Sequence, residues 1–418
     1  MRLSLINLIL AACVVASPKT AKALSASDLF SKVEHLVFQV RVIDISSDDK
    51  TAIGSGFLAD TLGHVATNYH VISLIANKPD KYRLVLVAND ESEVEAEIIA
   101  VDVLQDLAIL KPQTVRTSHI PIAKSEPQKG ERIYSIGNPQ DLGMSIVEGN
   151  FNGLVKSSRF KRLLFSGSLN PGMSGGPAFN EHGELIGINV ATGGEQISFL
   201  VPAAQLQALL NRAQSTTEIN LETQIADDLF AEQEQFYSAR IEESWKQQAF
   251  GDLTLPQDLS PAMKCWGHNE DDEEEQYTAF HQHCQSEEYI YLKDSFYTGN
   301  FSYDFEWMST ERLNPLQFYS VAQQRFNHPS AGNAYLEEDV TEFKCETNFV
   351  EISKSTWRTS TCFRQYKNYP QLFDATFLLL ALERTNSTAV IKMAVTGISW
   401  DNALAMIDKM MNSITWTP

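Results

Sequence analysis

The stretch that decides the fold reads NPGMSGGP at residues 170–177 and places three glycines and two prolines in one short turn. Glycine allows the tight backbone that other residues resist, and Pro177 then returns the chain to a strand. On both sides of this turn, apolar and polar residues alternate with a period of two, which predicts short strands. These runs are VFQVRVI (37–43), YRLVLVAN (82–89), VEAEIIAVDV (94–103), LAILKP (107–112), RIYSIGN (132–138), ELIGINV (184–190) and ISFLVP (197–202). Turn residues between them are typical of an all-β barrel or sandwich.

The composition supports a folded chain of two or three domains. Of the 418 residues, 43% are hydrophobic and 10% aromatic, which is enough to build several cores. The formal net charge of −20 argues against a protein that binds nucleic acid or docks on anionic lipid, since both need a basic face. The acidity is uneven, because residues 215–418 carry 32 acidic and 14 basic side chains, against 21 and 19 before them. We therefore expect the carboxyl-terminal part to favour basic partners.

The amino terminus has the pattern of an export signal. One arginine precedes an apolar run at residues 3–16, and about 14 residues are too few to cross a bilayer. A small-x-small sequence at residues 21–23 predicts a signal peptide over residues 1–23 and a periplasmic or secreted protein without a membrane span. Residues 10–13 also fit a bacterial lipobox, in which Cys13 would carry a lipid anchor, so a lipoprotein is the alternative.

Removal of the signal leaves an even number of cysteines, all in the last third of the chain: Cys265, Cys284, Cys345 and Cys362. An exported chain with paired cysteines favours disulfides, and pairing in sequence order is the simplest of three connectivities. Three histidines near the first pair, at positions 268, 281 and 283, raise a metal site as the alternative. Their spacing matches no usual zinc motif, so we predict disulfides and no metal.

The periodicity changes after Pro202. PAAQLQALLNRA (202–213) predicts a short helix, and Ser215 with Glu218 could form a capping box for a longer one. Apolar residues then recur at roughly helical intervals, which predicts a helical connector over residues 215–250 that packs on a neighbouring domain. They are Ile225, Leu229, Phe236, Ile241 and Trp245.

Residues 251–418 are rich in aromatic side chains and predict a disulfide-containing α+β domain of unknown function. Two apolar runs, FDATFLLLALER (373–384) and TAVIKMAVTGI (388–398), predict strands joined by a turn at Asn386-Ser387. The following SWDNALAMIDKMMNSI (399–414) predicts a capped amphipathic helix. We expect its buried face to contain Leu404, Ile407 and Met411.

Three segments of the β-rich part carry the residues of one catalytic chemistry. They are GSGF and VATNYHVI (54–57 and 65–72), DLAIL (106–110) and NPGMSGGP (170–177), which supply His70, Asp106 and Ser174. A serine hydroxyl is a poor nucleophile until a base takes its proton, and an imidazole oriented by a carboxylate is such a base. In order, spacing and flanking strands, residues 27–212 resemble the trypsin-fold serine proteases, most closely the bacterial HtrA-like (Deg) branch, without a recognisable PDZ domain.

The resemblance implies a double β-barrel over residues 24–214 that needs no metal or organic cofactor. It implies that Ser174 is the nucleophile, His70 the general base and Asp106 the group that orients the imidazole. The backbone N–H groups of Gly172 and Ser174 would form the oxyanion hole. Met173 stands where the branch commonly has asparagine and cannot form an ion pair, so activation by a liberated amino terminus is not expected.

The resemblance also assigns substrate-binding positions. It places the base of the side-chain pocket at Ser168 and the strand that pairs with substrate at Val190, Ala191 and Thr192. Because the pocket base carries no acid, it implies a small to medium aliphatic residue before the scissile bond rather than lysine or arginine.

Two other titratable residues lie close to the triad in sequence. Asp102 competes with Asp106 for the orienting role, but the DLAIL context favours Asp106, and we predict that Asp102 is a solvated turn residue. His64 lies six residues before His70 on a hairpin, and we predict that it is exposed.

These inferences together predict an exported serine endopeptidase that acts on unfolded or damaged polypeptides, with assembly as a homo-oligomer left open. The alternative is a latent protease scaffold that binds or chaperones proteins through its carboxyl-terminal domain.

Overall fold

The computed structural model describes residues 23–114, 116–215, 220–271, 276–331 and 336–416. Cys13 and nearly all of the expected signal peptide lie outside these residues. Two closed six-stranded barrels make up the amino-terminal half, which confirms the double β-barrel. Within the described ranges, no helix is long and apolar enough to cross a membrane.

The first barrel follows helix α1 (Ala26–Val33), which Ser25 caps by accepting a hydrogen bond from the N–H of Asp28. Its strands are hydrogen-bonded in the order β1-β2-β3-β6-β5-β4. A nine-residue helix, α2 (Tyr69–Asn77), leaves the barrel wall between β3 and β4. The strands are β1 (Val37–Asp44), β2 (Lys50–Leu58), β3 (Val65–Thr67), β4 (Tyr82–Val87), β5 (Glu93–Asp102) and β6 (Leu107–Pro112).

The second barrel has the strand order β10-β11-β12-β9-β8-β7 and leads directly into helix α3 (Ala203–Ser215). Alternate side chains of its strands point inward, as the period-two pattern requires. The strands are β7 (Arg132–Gly137), β8 (Ser145–Leu154), β9 (Leu163–Phe165), β10 (Pro177–Phe179), β11 (Leu185–Gly194) and β12 (Ile197–Pro202).

Helix α4 (Leu221–Glu242) occupies the middle of the expected connector. Asn220 caps it through the N–H of Thr223, whereas Glu218 of the expected capping box lies outside the described residues. The helical prediction is wrong for residues 246–250, which form strand β13 (Lys246–Phe250). The backbone turns extended at Glu243, and a tight turn with Gly251 at φ +59° then pairs β13 with β14 (Leu253–Gln257).

The carboxyl-terminal half is α+β, as the sequence predicts. A seven-stranded antiparallel sheet has the order β15-β16-β19-β23-β22-β21-β20, and β14 also pairs with the last strand, β24. The helices are α5 (Pro315–Arg325) and α6 (Trp400–Asn412). The strands are β15 (Met263–Asp271), β16 (Thr278–Ser286), β17 (Ile290–Lys293), β18 (Phe296–Thr298), β19 (Phe301–Ser309), β20 (Lys344–Ile352), β21 (Ser355–Gln365), β22 (Phe373–Ala381), β23 (Ser387–Ile398) and β24 (Thr415–Trp416).

Both disulfides join cysteines that face each other on neighbouring strands. Cys265 pairs with Cys284 across β15 and β16, and Cys345 pairs with Cys362 across β20 and β21. The sequential connectivity is therefore confirmed, and the four cysteines form disulfides.

The buried face of α6 differs from the expected one. Leu404 is 45% exposed, whereas Ala403, Met406, Ile407 and Met410 are buried. The helix packs on α4 as well as on β22 and β23. These contacts lie on two sides of α6, so the buried stripe is centred about one residue away from the face that hydropathy alone indicates.

Candidate active site

His70 and Asp106 are held together by both oxygens of the carboxylate. Strand β3 ends at Thr67, and His70 falls in the first turn of α2. The backbone N–H of His70 donates to Oδ1 of Asp106 at 2.8 Å, and its ring Nδ1 lies 2.6 Å from Oδ2. Asn68 fixes the aspartate from the other side, since its Nδ2 donates to the Asp106 carbonyl at 2.8 Å. Asp106 has φ +60°, a left-handed conformation that aspartate tolerates better than most residues.

The electrostatics of this pair favour the imidazolium. Burial disfavours the charged ring, but the charge of Asp106 and its hydrogen bond outweigh burial, so the pKa of His70 lies above its ordinary value. The pair therefore accepts a proton more readily than a free histidine, as a general base must.

Ser174 lies in the turn before β10, next to the residues that lead into His70. Its carbonyl accepts a hydrogen bond from the N–H of Ser55 at 2.8 Å. A Cβ atom on Gly175 (φ +82°) would lie 2.9 Å from the backbone nitrogen of Asn68 and collide with the Thr67 hydroxyl. Glycine is therefore required for this close approach. Within the described ranges, the Ser174 hydroxyl makes no hydrogen bond, and the ring of His70 is hydrogen-bonded to Asp106.

A β-turn at residues 170–173 carries one of the two expected oxyanion donors, the N–H of Gly172. The N–H of Met173 donates to Asn170 O at 3.0 Å, with Pro171 and Gly172 (φ +94°) at the centre of the turn. The carbonyl of Pro171 accepts from the N–H of Gln140 at 2.8 Å. Because the C=O and N–H of a trans peptide point in opposite directions, the Gly172 N–H points away from Gln140.

Met173 cannot form an ion pair, and its role in the turn is structural. Its side chain is fully buried in the core of the second barrel. Its carbonyl accepts hydrogen bonds from Nδ2 of Asn189 at 3.1 Å and from the N–H of Gly176 at 3.1 Å. Packing and hydrogen bonds therefore order this turn without an ion pair at residue 173.

Strand β11 presents an open edge beside the histidine. Strand β10 pairs with β11 only as far as Ile188, so residues 190–192 keep backbone groups that can pair with an extended peptide. Val190 and Thr192 line a cavity of about 730 Å³ together with His70 and Asp106. Ser168 is exposed and is not among the residues that line this cavity. Ala191 lies between Val190 and Thr192 in strand β11.

Two neighbouring residues differ from their predicted environments. His64 is only 9% exposed, and its Nδ1 lies 2.8 Å from Oδ2 of Asp60. The backbone N–H of His64 donates to Oδ1 of the same carboxylate at 3.1 Å. Asp102 is half-buried, and its carboxylate accepts from the N–H groups of Leu104 and Gln105. Burial raises the pKa of Asp102, so neither residue is the solvated surface group expected from its turn sequence.

The carboxyl-terminal half contributes a side chain to the site that the sequence does not predict. The Tyr291 ring lies 6.3 Å from the His70 ring at an interplanar angle of 84°, and its hydroxyl is 3.1 Å from Oγ of Ser73. The alternation in YIYLKDSFY (289–297) is a signal for the β17–β18 hairpin. Nothing in that pattern indicates that the hairpin contacts the first barrel.

Comparisons with known proteins agree with this geometry. Residues 54–188 match the family model of the trypsin-like peptidase domain. A probable periplasmic serine endoprotease, DegP-like, from Ectopseudomonas mendocina is 33% identical over 161 residues, which are 36% of this chain and 33% of that protein. Serine endoprotease DegS of Escherichia coli K12 is 37% identical over 144 residues, 33% of this chain and 39% of that protein.

Among solved structures, the serine endoprotease from Yersinia pestis is 28% identical, with a TM-score of 0.40 over 46% of this chain and 68% of that one. The family match covers residues 54–188, which include strands of both barrels, and it identifies this segment as similar to the trypsin-like peptidase domain. The curated relatives of this domain are Deg-type serine endoproteases. The chain matches about one third of their length, and residues 189–418 lie beyond the family match.

Proposed function

We propose that the protein is a serine endopeptidase that hydrolyses peptide bonds through an acyl-enzyme. The observation that carries this proposal is the double contact of the Asp106 carboxylate with the backbone and ring of His70, next to a glycine-rich turn that bears Ser174. The match to the trypsin-like peptidase domain supports it independently.

In the proposed mechanism, Oγ of Ser174 attacks the carbonyl carbon of the scissile bond as Nε2 of His70 takes its proton. Asp106 stabilises the imidazolium that forms, and the N–H groups of Gly172 and Ser174 donate to the oxyanion. Collapse of the tetrahedral intermediate breaks the C–N bond, and His70 gives its proton to the leaving amine. Water then attacks the ester by the same route and frees Ser174.

The proposed substrates are polypeptide segments that enter in extended form, as in unfolded or damaged proteins outside the cytoplasm. The open edge at residues 190–192 suits such a chain, because an extended peptide can pair its backbone with an exposed strand edge. Ser168 is proposed to line the pocket for a small to medium aliphatic side chain. Export by the signal peptide and assembly into a homo-oligomer belong to the same proposal.

An active-site probe tests the proposal directly. A fluorophosphonate should label the full-length protein, Ser174→Ala should abolish labelling, and Ser125→Ala, which removes an exposed serine, should leave it intact. Mass spectrometry of the labelled peptide then identifies the modified residue. A folded wild-type protein that is neither labelled nor able to cleave an unfolded protein such as casein would contradict the proposal and favour the latent binding scaffold.

A further inference from the structure

A segment of the carboxyl-terminal domain, residues 287–299, crosses between the two barrels beside the candidate site. On the first barrel, the Tyr69 hydroxyl donates to the carbonyl of Leu292 at 2.8 Å, and the Tyr291 hydroxyl meets Ser73. Three apolar side chains of the segment are buried in a hydrophobic cluster that includes residues of both barrels: Ile290, Leu292 and Phe296. The segment is therefore built into the peptidase domain.

The same segment is also fixed to the second barrel. Glu288 accepts two hydrogen bonds, from Oγ of Ser158 at 2.6 Å and from the N–H of Phe160 at 3.1 Å. At its far end, the guanidinium of Arg159 donates to the carbonyl of Gly299 at 3.4 Å. With attachments on both barrels, the segment holds a fixed position beside His70.

Three tyrosines of this segment line the cavity, and we name them the tyrosine wall: Tyr289, Tyr291 and Tyr297. Their rings are in contact, with centroids 5.4 Å apart for Tyr291 and Tyr297 and 4.5 Å apart for Tyr289 and Tyr297. Because Tyr291 also contacts the His70 ring, the wall extends outward from the catalytic histidine.

The remaining lining makes the cavity mainly apolar. The barrels contribute aliphatic and aromatic side chains, among them Leu104, Phe160 and Phe199. The charged residues of the carboxyl-terminal side have partners already, since Nζ of Lys264 lies 2.6 Å from Glu287 and Glu288 is bound to the second barrel. Apolar lining with few unpaired polar groups favours an apolar ligand group.

The geometry of an extended substrate determines which of its side chains reach this cavity. A peptide paired with residues 190–192 has side chains that alternate between two faces. The residue before the scissile bond (P1) points to one face, so the second and fourth residues before the bond (P2 and P4) point to the other. The cavity borders His70 and the open edge of β11 but not Ser168, the expected base of the P1 pocket, so we infer that it lies on the face that P2 and P4 side chains take.

We propose that the tyrosine wall is a specificity-determining surface that selects bulky apolar side chains at P2 and P4. This inference rests on the proposed endopeptidase function. It assigns the carboxyl-terminal domain a direct part in substrate binding, because one side of the cavity belongs to that domain.

The test measures kcat/KM of the full-length protein for fluorogenic tetrapeptides with one fixed aliphatic P1 residue and alanine, leucine or phenylalanine at P2 or P4. The wild type should favour leucine and phenylalanine over alanine. Tyr289→Ala, at a side chain that is 53% exposed, and Tyr297→Ala should lower this preference about tenfold, as loss of apolar contacts in a pocket does. Phe349→Ala is the matched control, since Phe349 is 68% exposed on β20 and outside the cavity lining.

Two variants at Tyr291 distinguish the contact of its ring with substrate from the hydrogen bond of its hydroxyl with Ser73. Tyr291→Phe keeps the ring and should keep the P2 preference, whereas Tyr291→Ala should lose it. An unchanged preference in the alanine variants of a protein that cleaves peptides overturns the inference and leaves the proposed function intact. If the alanine variants raise kcat/KM equally for alanine and phenylalanine substrates, the inference is also overturned, because the tyrosine wall would then limit access to the site and not select side chains. Absence of both probe labelling and cleavage in the wild type overturns the endopeptidase function itself.

Discussion

Substitution of Gly172 by alanine tests whether the turn at residues 170–173 orients an oxyanion donor. Gly172 has φ +94°, and a Cβ atom there would approach the carbonyl oxygen of Asn138 more closely than 3.0 Å. The left-handed backbone alone costs an L-residue about 1–2 kcal/mol, and the collision can be relieved only by moving the main chain. We expect the central peptide of the turn to rotate and its N–H to leave the oxyanion position. Loss of one such donor lowers kcat by about 10²–10³-fold.

Gly130→Ala is the matched control for this substitution. Gly130 has φ +96°, but among the described residues no atom other than those of Gly130 and its two chain neighbours lies within 4 Å of the position that its Cβ would take. It therefore has the same backbone cost without the collision. Both variants should be compared by thermal unfolding, by the rate of fluorophosphonate labelling and by kcat for one peptide substrate. If Gly172→Ala is labelled and turns over as fast as Gly130→Ala, the turn does not orient an oxyanion donor, and the reasoning is refuted.

Three further outcomes follow from the described contacts. The raised pKa of His70 places the acidic limb of the kcat/KM profile above about pH 6.5, the ordinary pKa of histidine. The same pKa shift affects stability. The stabilisation from the pair of His70 with Asp106 is complete below that pH and is lost as the pH rises through the folded-state pKa. A profile centred below pH 6.5 would contradict this. Leu292→Ala should lower the free energy of unfolding in urea by about 2–5 kcal/mol, whereas Leu316→Ala, at a side chain 83% exposed, should change it by less than about 0.5 kcal/mol. Replacing Cys345 and Cys362 by serine opens a loop with a sequence separation of 17 and should lower the free energy of unfolding, followed by heating, by about 3 kcal/mol. A variant as stable as the oxidised wild type would contradict this.

The parts that the sequence predicts well depend on local patterns. Strand alternation and the glycine-rich turn at residues 170–177 are sufficient for the barrels, because each strand shows its buried face in its own residues. The order of His70, Asp106 and Ser174 predicts that residues far apart in the chain lie close together, because the family resemblance involves all three motifs. The disulfides follow from cysteine number and order.

The parts that the sequence does not predict depend on contacts outside the segment that carries the pattern, some with near neighbours and some with residues far along the chain. The environment of His64 comes from the way its hairpin folds back on Asp60, and the buried stripe of α6 comes from packing against α4. Strand β13 forms because β14 pairs with it, although three of its five residues are polar and four of them are good helix formers. The contact of Tyr291 with His70 spans more than 200 residues, and no periodicity encodes such a distance.

Helix α4 has a mechanical consequence for the cleft. Its 22 residues extend about 33 Å, with Ile225 and Leu229 in the core of the barrels and Tyr237 in the core of the carboxyl-terminal domain. Between them, the buried Gln233 binds Arg159 of the second barrel at 2.6 Å and the carbonyl of Thr396 at 3.0 Å. The two halves cannot hinge apart without breaking this helix or exposing its apolar side chains to water. These contacts oppose a hinge opening of the cavity, so we expect a substrate to enter by its own flexibility.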